Sequence, residues 1–130
     1  MKLHPSLTYH KRLADKQELI ADFMDVVTVT TQWDSYWYIV DGKTYTGESM
    51  KYDTSYDWII PVYNKCCKIL NDNWKEIQKH NYDLYEELLI VSDKLEESTR
   101  QEYLETKPIF IQVVNCIKWW NKNKDWKNKL

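Results

Sequence analysis

Glycine and proline are scarce in this sequence, with two Gly and three Pro among 130 residues. Flexible linkers and turn-rich β architectures both need these residues, so their scarcity excludes both, and the composition is not typical of disorder. A chain of this length corresponds to one domain, and it can bury roughly two thirds of the surface that its unfolded chain would expose. We therefore expect one mostly helical domain of the α+β class over residues 1–130.

Long apolar runs are also missing. No stretch approaches the roughly 18 consecutive apolar residues of a membrane span, and the first residues, MKLHPSLTYHKRLADK, contain no apolar segment of an export signal. The 18 basic and 20 acidic residues give a formal charge of −2, which argues against a chain built overall to coat nucleic acid or an anionic membrane. The sequence predicts an intracellular, cytoplasmic protein without a membrane partner.

The usual motifs of catalysis and metal binding are absent. Two glycines cannot build a phosphate-binding loop, and no serine lies in a nucleophile-elbow sequence. The histidines are far apart in the chain, and the cysteines lack the C-x-x-C spacing of a metal or redox site. These residues are His4, His10, His80, Cys66, Cys67 and Cys116. We predict that the protein is not an enzyme and binds no cofactor and no metal.

Aromatic residues are abundant instead, with ten Tyr, seven Trp and two Phe.

The local sequence pattern predicts the first secondary-structure elements. Residues 8–24 carry apolar side chains at helical spacing and predict an amphipathic helix. Residues 26–33 and 35–47 are rich in β-branched and aromatic residues, and Asp41-Gly42 between two such runs is typical of a type I′ turn. We expect a three-stranded antiparallel sheet with a hairpin at Asp41-Gly42.

A helix is predicted to begin near residues 53–55, where Thr54-x-x-Asp57 resembles a capping box. Apolar residues follow at three- and four-residue steps, which predicts a buried helix face. Pro61 interrupts this pattern, because an interior proline removes one helical hydrogen bond. Either the helix kinks at Pro61 or a second helix begins there, and a kink would free carbonyl groups near Asp57 and Trp58 for a ligand or partner.

The remaining sequence is helical in pattern. Asn81 is a candidate N-cap of one helix, Ser98-x-x-Gln101 resembles a capping box for a shorter segment, and Thr106 before Lys107-Pro108 starts the last helix. That last helix carries the clearest apolar stripe of the chain. Its members are Ile109, Phe110, Val113, Val114, Ile117 and Trp120.

Two stretches resemble recurrent sequences of a protein family. Residues 52–62 have the pattern Y-x-T-S-x-D-W-I-I-P-V, and residues 113–121 have the pattern V-V-x-x-I-x-W-W-N. Both are similar to small uncharacterised proteins encoded by phages and prophages of Bacteroidetes. The resemblance implies a phage or mobile-element product that acts inside a bacterial cell, and it implies no activity. In that family the segment between the stretches has more strand character, whereas residues 71–105 here have a helical pattern.

The aromatic surplus favours a protein-binding module. Tyr and Trp supply many of the hot spots of protein interfaces, and a small product of a mobile element without catalytic motifs is suited to occupying a partner. We expect an adaptor or inhibitor of a host or phage protein, and formation of a homo-oligomer is a milder form of the same hypothesis. The expected partner-binding residues are Asp57, Trp58, Trp119, Lys122 and Trp126.

The alternative is binding of single-stranded nucleic acid or a nucleotide. Residues 118–129, KWWNKNKDWKNK, interleave Trp119, Trp120 and Trp126 with five lysines. Aromatic rings stack on bases, and lysines neutralise phosphates. Lysines near the C-terminus of a helix also complement the helix dipole, so the segment by itself does not decide between the two functions.

Overall fold

The computed structural model describes residues 5–30, 36–100 and 105–129. They form an N-terminal helix, a three-stranded antiparallel sheet and a helical C-terminal half, in this order along the chain. The α+β class predicted from the sequence is therefore confirmed. None of the helices in this part of the chain has the length and apolar character that a membrane crossing requires.

The chain divides into two compact units, residues 1–52 and residues 53–130. The first unit holds the N-terminal helix and the sheet, and the second holds the remaining helices. The single domain predicted from the sequence stays a prediction, and each unit is described by itself.

The first unit contains helix α1, Pro5–Phe23, and strands β1, Val27–Thr30, β2, Tyr36–Val40, and β3, Lys43–Tyr45. The strands lie in the order β1-β2-β3, and each neighbouring pair is antiparallel. This arrangement confirms the three predicted strands. The sequence predicted that the first strand continues to residue 33, and residues 31–35 lie outside the described part of the chain.

The hairpin between β2 and β3 forms at the predicted turn. Val40 pairs with Lys43, so that Asp41 and Gly42 are the two residues of the loop. Both have positive φ angles, 51° for Asp41 and 77° for Gly42. A type I′ turn requires positive φ at both central positions, and Gly tolerates this conformation without steric cost. The local sequence therefore decided the register of this hairpin.

Buried Gln17 connects α1 to the segment after β3. Its side-chain amide donates to the carbonyl of Met50 at 2.6 Å, and its side-chain carbonyl accepts from the backbone N–H of Tyr52 at 2.9 Å. Gln17 is fully buried, so both hydrogen bonds form away from water. A buried amide that is satisfied in this way fixes the position of the segment against the helix.

The two faces of the sheet differ in exposure. Tyr38 on β2 is buried, and its hydroxyl is hydrogen-bonded to the carboxylate of Glu18 on α1, so this face packs against the helix. The opposite face carries Val27 and Val29 of β1 and Trp37 of β2, which the strand pairing places side by side. Their side chains are 63%, 47% and 37% exposed. Tyr38 therefore faces α1, whereas Val27, Val29 and Trp37 lie on an open face of the sheet.

The second unit contains helices α2, Tyr56–His80, α3, Tyr82–Ser98, and α4, Thr106–Asn123, and a 3₁₀ turn, Trp126–Lys129. Each of the three helices packs against the other two. Apolar side chains at helical spacing point into the shared core. The buried members of α2 and α3 are Ile59, Val62, Cys66, Leu70, Ile77, Leu84, Leu88 and Leu95, and those of α4 are Ile109, Phe110, Val113, Val114, Cys116 and Ile117.

Helix α2 continues through Pro61, so of the two alternatives predicted there the start of a second helix is excluded. Pro61 is the sixth residue of α2, and its missing N–H removes only the bond to the carbonyl of Asp57 in the first turn. The predicted start of this helix is confirmed, but the N-cap is Ser55, without a side-chain capping bond. The capping box predicted from Thr54 and Asp57 is therefore wrong.

Asn81 joins α2 to α3 as a single non-helical residue. Its backbone N–H donates to the carbonyl of Ile77, and its side chain accepts from the N–H of Leu84 at 3.1 Å. Asn81 thus ends one helix and caps the next, which confirms the predicted N-cap. The described residues between 71 and 105 form the end of α2 and all of α3, as the helical pattern predicted, and they contain no strand.

The capping box predicted from Ser98 falls at the end of α3, and its last residue, Gln101, lies outside the described residues. Ser98 is the last residue of α3, and its hydroxyl donates to the carbonyl of Leu95 at 2.6 Å. The segment that this box was expected to open falls on residues 101–104, outside the described residues. Thr106 begins α4 as predicted, and its hydroxyl donates to the carbonyl of Asp53.

Candidate binding groove

The five residues predicted to bind a partner lie in different places within the second unit. Asp57 and Trp58 are in the first turn of α2, where Asp57 is exposed and Trp58 is half-buried. Trp119 and Lys122 lie towards the C-terminal end of α4, and Trp126 lies in the 3₁₀ turn.

These residues do not converge on one site. The hydrogen bond from Thr106 to Asp53 places the start of α4 beside the residues that precede α2. Trp119 is thirteen residues further along α4, which corresponds to about 20 Å of helix. The two groups are therefore separated along the helix axis. Their role in binding stays a prediction.

Trp126 is a buried residue, with 4% of its surface exposed. Its ring centroid lies 6.4 Å from that of His80 at the end of α2, and the ammonium group of Lys127 lies 5.7 Å from the ring. These contacts place the C-terminal segment against the end of α2. A ring that is buried in this way presents no open face for stacking on a base, whereas the five lysines of this segment are exposed.

Trp119 is half-buried, and its indole N–H is buried without a hydrogen-bond partner among the described residues. A buried donor without an acceptor costs about 1–3 kcal/mol. The N–H is enclosed by protein, so a partner's acceptor reaches it only after local movement. The position therefore supports no preformed site.

A groove lies between α2 and α3, on the side of this helix pair where aromatic residues cluster. Its volume is about 800 Å³, and it is open to solvent. Asn81 joins the two helices directly, so they run antiparallel and their side chains face each other in pairs along the groove. The lining residues are Tyr63, Asn64, Cys67, Lys68, Leu70, Asn71, Trp74, Tyr85, Leu88, Leu89, Ser92, Leu95 and Glu96.

The floor of the groove is apolar. Leu70 from α2 and Leu88 and Leu95 from α3 form it, and each is at most 5% exposed. Tyr63 and Trp74 are half-buried at the two ends of the α2 wall. On the α3 wall, Leu89 is 42% exposed, and half-buried Tyr85 packs near Tyr82 with a centroid distance of 6.2 Å. Apolar side chains therefore extend from the core to the surface, and no element among the described residues covers them.

The rim of the groove is polar but nearly neutral in charge. The ammonium of Lys68 is 2.8 Å from the carboxylate of Asp72 one turn away, and Glu96 pairs with Arg100. The side-chain amides of Asn64 and Asn71 make no hydrogen bond with other residues that the structure describes. The rim therefore offers amide donors and acceptors to a guest, while its charges are already paired.

The cysteine in the groove is not an activated nucleophile. Burial raises the pKa of the Cys67 thiol, although its hydrogen bond with the Tyr63 hydroxyl acts in the opposite direction. A hydrogen bond with Cys116, together with burial, raises the pKa of the Cys66 thiol. Both thiols are protonated at neutral pH, and nucleophilic chemistry needs the thiolate. Among the described residues, no group of three His, Cys, Asp or Glu side chains is placed to hold a metal ion.

Comparisons with protein-family models, with curated proteins and with solved structures found no match to this chain.

Sequence reasoning missed this groove, although one signal for it is present. A helix that is buried on one side needs a single apolar stripe, which Leu84, Leu88 and Leu95 supply in α3. Leu89 lies beside this stripe and remains 42% exposed. Such an apolar side chain beyond the need of the core indicates a second packing surface.

Proposed function

We propose that this chain is a non-enzymatic protein-binding module, and that the groove between α2 and α3 accepts an amphipathic helix of a partner protein. The observation that carries the proposal is the open apolar groove between two antiparallel helices with a neutral polar rim. Helices that lay an apolar face into such a groove are a common mode of recognition.

The dimensions of the groove match a short helix. Tyr63 and Trp74 lie eleven residues apart on α2, which corresponds to about 16 Å, or three turns, of a guest helix of similar direction. A guest with apolar residues at i, i+4 and i+7 would cover the three leucines of the floor. Such a guest adds a fourth helix to the three that already pack together, which is a stable arrangement of antiparallel helices.

The chemistry of the rim favours a guest with uncharged polar residues beside its apolar stripe. Asn64 and Asn71 can each donate and accept hydrogen bonds, and the Ser92 hydroxyl lies on the opposite wall. The aromatic residues Tyr63, Trp74 and Tyr85 are of the types that dominate binding energy at protein interfaces. This composition suits a protein surface better than it suits a phosphate-bearing ligand.

In the wider proposal, the module is an adaptor or inhibitor made by a phage or mobile element, and its partner is a host or phage protein in the bacterial cytoplasm. The sequence resemblance supports this origin. Binding of single-stranded nucleic acid or a nucleotide by the C-terminal lysines remains the alternative, which the burial of Trp126 makes less favourable.

The test is affinity capture from bacterial lysate with the wild-type protein and two variants, Leu89→Lys and Ile90→Lys. Both residues are exposed aliphatic side chains on α3, but only Leu89 lines the groove. We expect a protein that is retained by wild type and by Ile90→Lys, and lost with Leu89→Lys.

A nuclease-treated arm and a series of salt concentrations accompany the capture. Loss of the captured protein with both variants, or with neither, would remove the groove from the proposal. Capture of nucleic acid alone, with a steep decrease as salt increases, would favour the alternative function.

A further inference from the structure

The open edge of the sheet in the first unit provides a second surface, which the groove does not involve. Strand β1 lies at one edge of the sheet, and within the described part of the chain it pairs with β2 alone. All four of its residues are exposed, and the exposed fraction reaches 63% for Val27. Because β1 has a neighbour on one side only, half of its backbone N–H and C=O groups point away from the sheet.

Strand β1 carries none of the charges, prolines or bulges that block pairing at a sheet edge. Sheet edges commonly carry a lysine, a proline or a bulge that prevents pairing with another strand. The sequence of β1, Val-Thr-Val-Thr, contains no charge and no proline, and its pairing with β2 is regular over all four residues. The residues that β1 presents are also those with a high preference for strands.

We propose that two copies of this chain pair through β1, edge to edge and antiparallel, and form one continuous six-stranded sheet from their two three-stranded sheets. The proposal goes beyond the binding function of the groove, because it uses residues of the first unit only. A second copy fits this edge because β1 is uncharged and both copies present the same valines and threonines. The backbone donors and acceptors of one strand also match those of the other when the two run antiparallel.

The pairing of β1 with itself follows from symmetry. A two-fold axis perpendicular to the sheet keeps the same face on the same side in both copies. Residues directly opposite in antiparallel strands lie on the same face. An axis through Thr28 places Thr28 opposite its own counterpart and Val27 opposite Val29 of the second copy. Cross-strand pairs of β-branched residues are among the favourable ones.

Two identical strands pair favourably when the strand carries no charge, as is the case for β1. A two-fold axis brings each side chain near the axis against its own equivalent, so a charge in β1 would face a like charge. An unrelated extended peptide would satisfy the backbone edge only. The second copy satisfies the backbone edge and also places its own valines beside exposed Val27 and Val29. A contact centred on four residues is at the small end of protein interfaces, so the dimer dissociates reversibly.

The test is sedimentation velocity of the full chain from low to high micromolar concentration. We expect the measured mass to move from one chain towards two as concentration increases. Val29→Lys places a charge in the centre of the edge and should keep the protein monomeric over the same range. Thr44→Lys is the control, because Thr44 lies on the same face of the sheet, on edge strand β3, and it should dimerise as wild type does.

Amide hydrogen exchange of the wild type covers the case in which Val29→Lys disturbs the strand itself. Exchange at residues 27–30 should slow as concentration increases, while exchange in β3 should not change. A wild-type chain that stays monomeric at every concentration would overturn the proposal. Equal loss of the dimer with Val29→Lys and Thr44→Lys would also overturn it, since that result indicates stacking of the open faces.

Discussion

Gln17 shows how one buried polar residue can hold a segment without regular secondary structure. Its amide satisfies a carbonyl and an N–H of the chain after β3, and both groups would otherwise be buried without partners. A buried polar group that loses its partner costs about 1–3 kcal/mol, whereas the same group exposed to water costs little. The position of residues 50–52 therefore depends on this side chain.

The first prediction concerns this residue. We expect Gln17→Ala to lower the free energy of unfolding by about 2–4 kcal/mol, because two buried backbone groups lose their partners. The measurement is urea denaturation followed by circular dichroism. Gln78→Ala is the matched control, since Gln78 is an exposed glutamine within α2. Similar losses for the two variants would contradict the assigned role of Gln17.

The second prediction concerns Tyr38. Burial and the carboxylates of Glu18 and Asp22 raise the pKa of Tyr38 to about 12, against an ordinary value of 10. The phenolate is therefore less favourable in the folded protein than in the unfolded chain. The stabilisation by the neutral hydroxyl is complete below pH 10 and is lost as pH rises through 12.

We expect the difference in unfolding free energy between wild type and Tyr38→Phe to decrease from pH 10 to pH 12. The measurement is urea denaturation at several pH values. Tyr82→Phe is the control, because Tyr82 is 64% exposed. If the stability difference from wild type changed with pH in the same way for both variants, the surroundings of Tyr38 would not be the cause of that change.

At the scale of the elements, the short connections determine the geometry. A single residue, Asn81, separates α2 from α3, and it forms hydrogen bonds with backbone groups of both helices.

The third prediction is that Asn81→Ala destabilises the protein by about 1 kcal/mol, because the N–H of Leu84 loses its cap. Asn81→Asp retains the acceptor and should be close to wild type. The measurement is thermal unfolding, and an equal loss for both variants would contradict the capping role.

Elements whose signals are local were predicted from the sequence. The turn at Asp41-Gly42 and the cap at Asn81 each depend on residues within a few positions, and both are confirmed. At Pro61 the sequence left two alternatives open, a kink or a second helix, and the structure shows one continuous helix. A proline in the second turn of a helix forfeits one hydrogen bond, and α2 gains more from burial of the apolar residues after it.

The groove and the open sheet edge could not be predicted in this way. Leu70 and Leu88 become neighbours only when α2 and α3 pack, and their spacing in sequence does not show which sides of the helices remain uncovered. The predicted site residues were chosen for their type alone. Trp126 has the type expected at an interface but is used in the core, because its ring covers the end of α2 near His80.

At the scale of the whole molecule, the C-terminal segment belongs to the structure of the second unit. The fourth prediction is that Trp126→Ala lowers the free energy of unfolding by about 3–5 kcal/mol, as expected when a buried tryptophan is truncated. Trp37→Ala is the control, because Trp37 is 37% exposed on the open face of the sheet. The measurement is urea denaturation of both variants at one low protein concentration. A smaller loss for Trp126→Ala than for Trp37→Ala would show that the segment is not anchored by this ring.

The junction at Asn81 also affects the thermodynamics of recognition. A loop of several residues between α2 and α3 would let the two helices change their separation, and a guest would then have to order them when it binds. With one residue, which both helices hold by hydrogen bonds, that loss of conformational entropy has already occurred in the free protein. The helix pair is therefore preorganised, and differences in affinity among guests depend on the fit of their side chains.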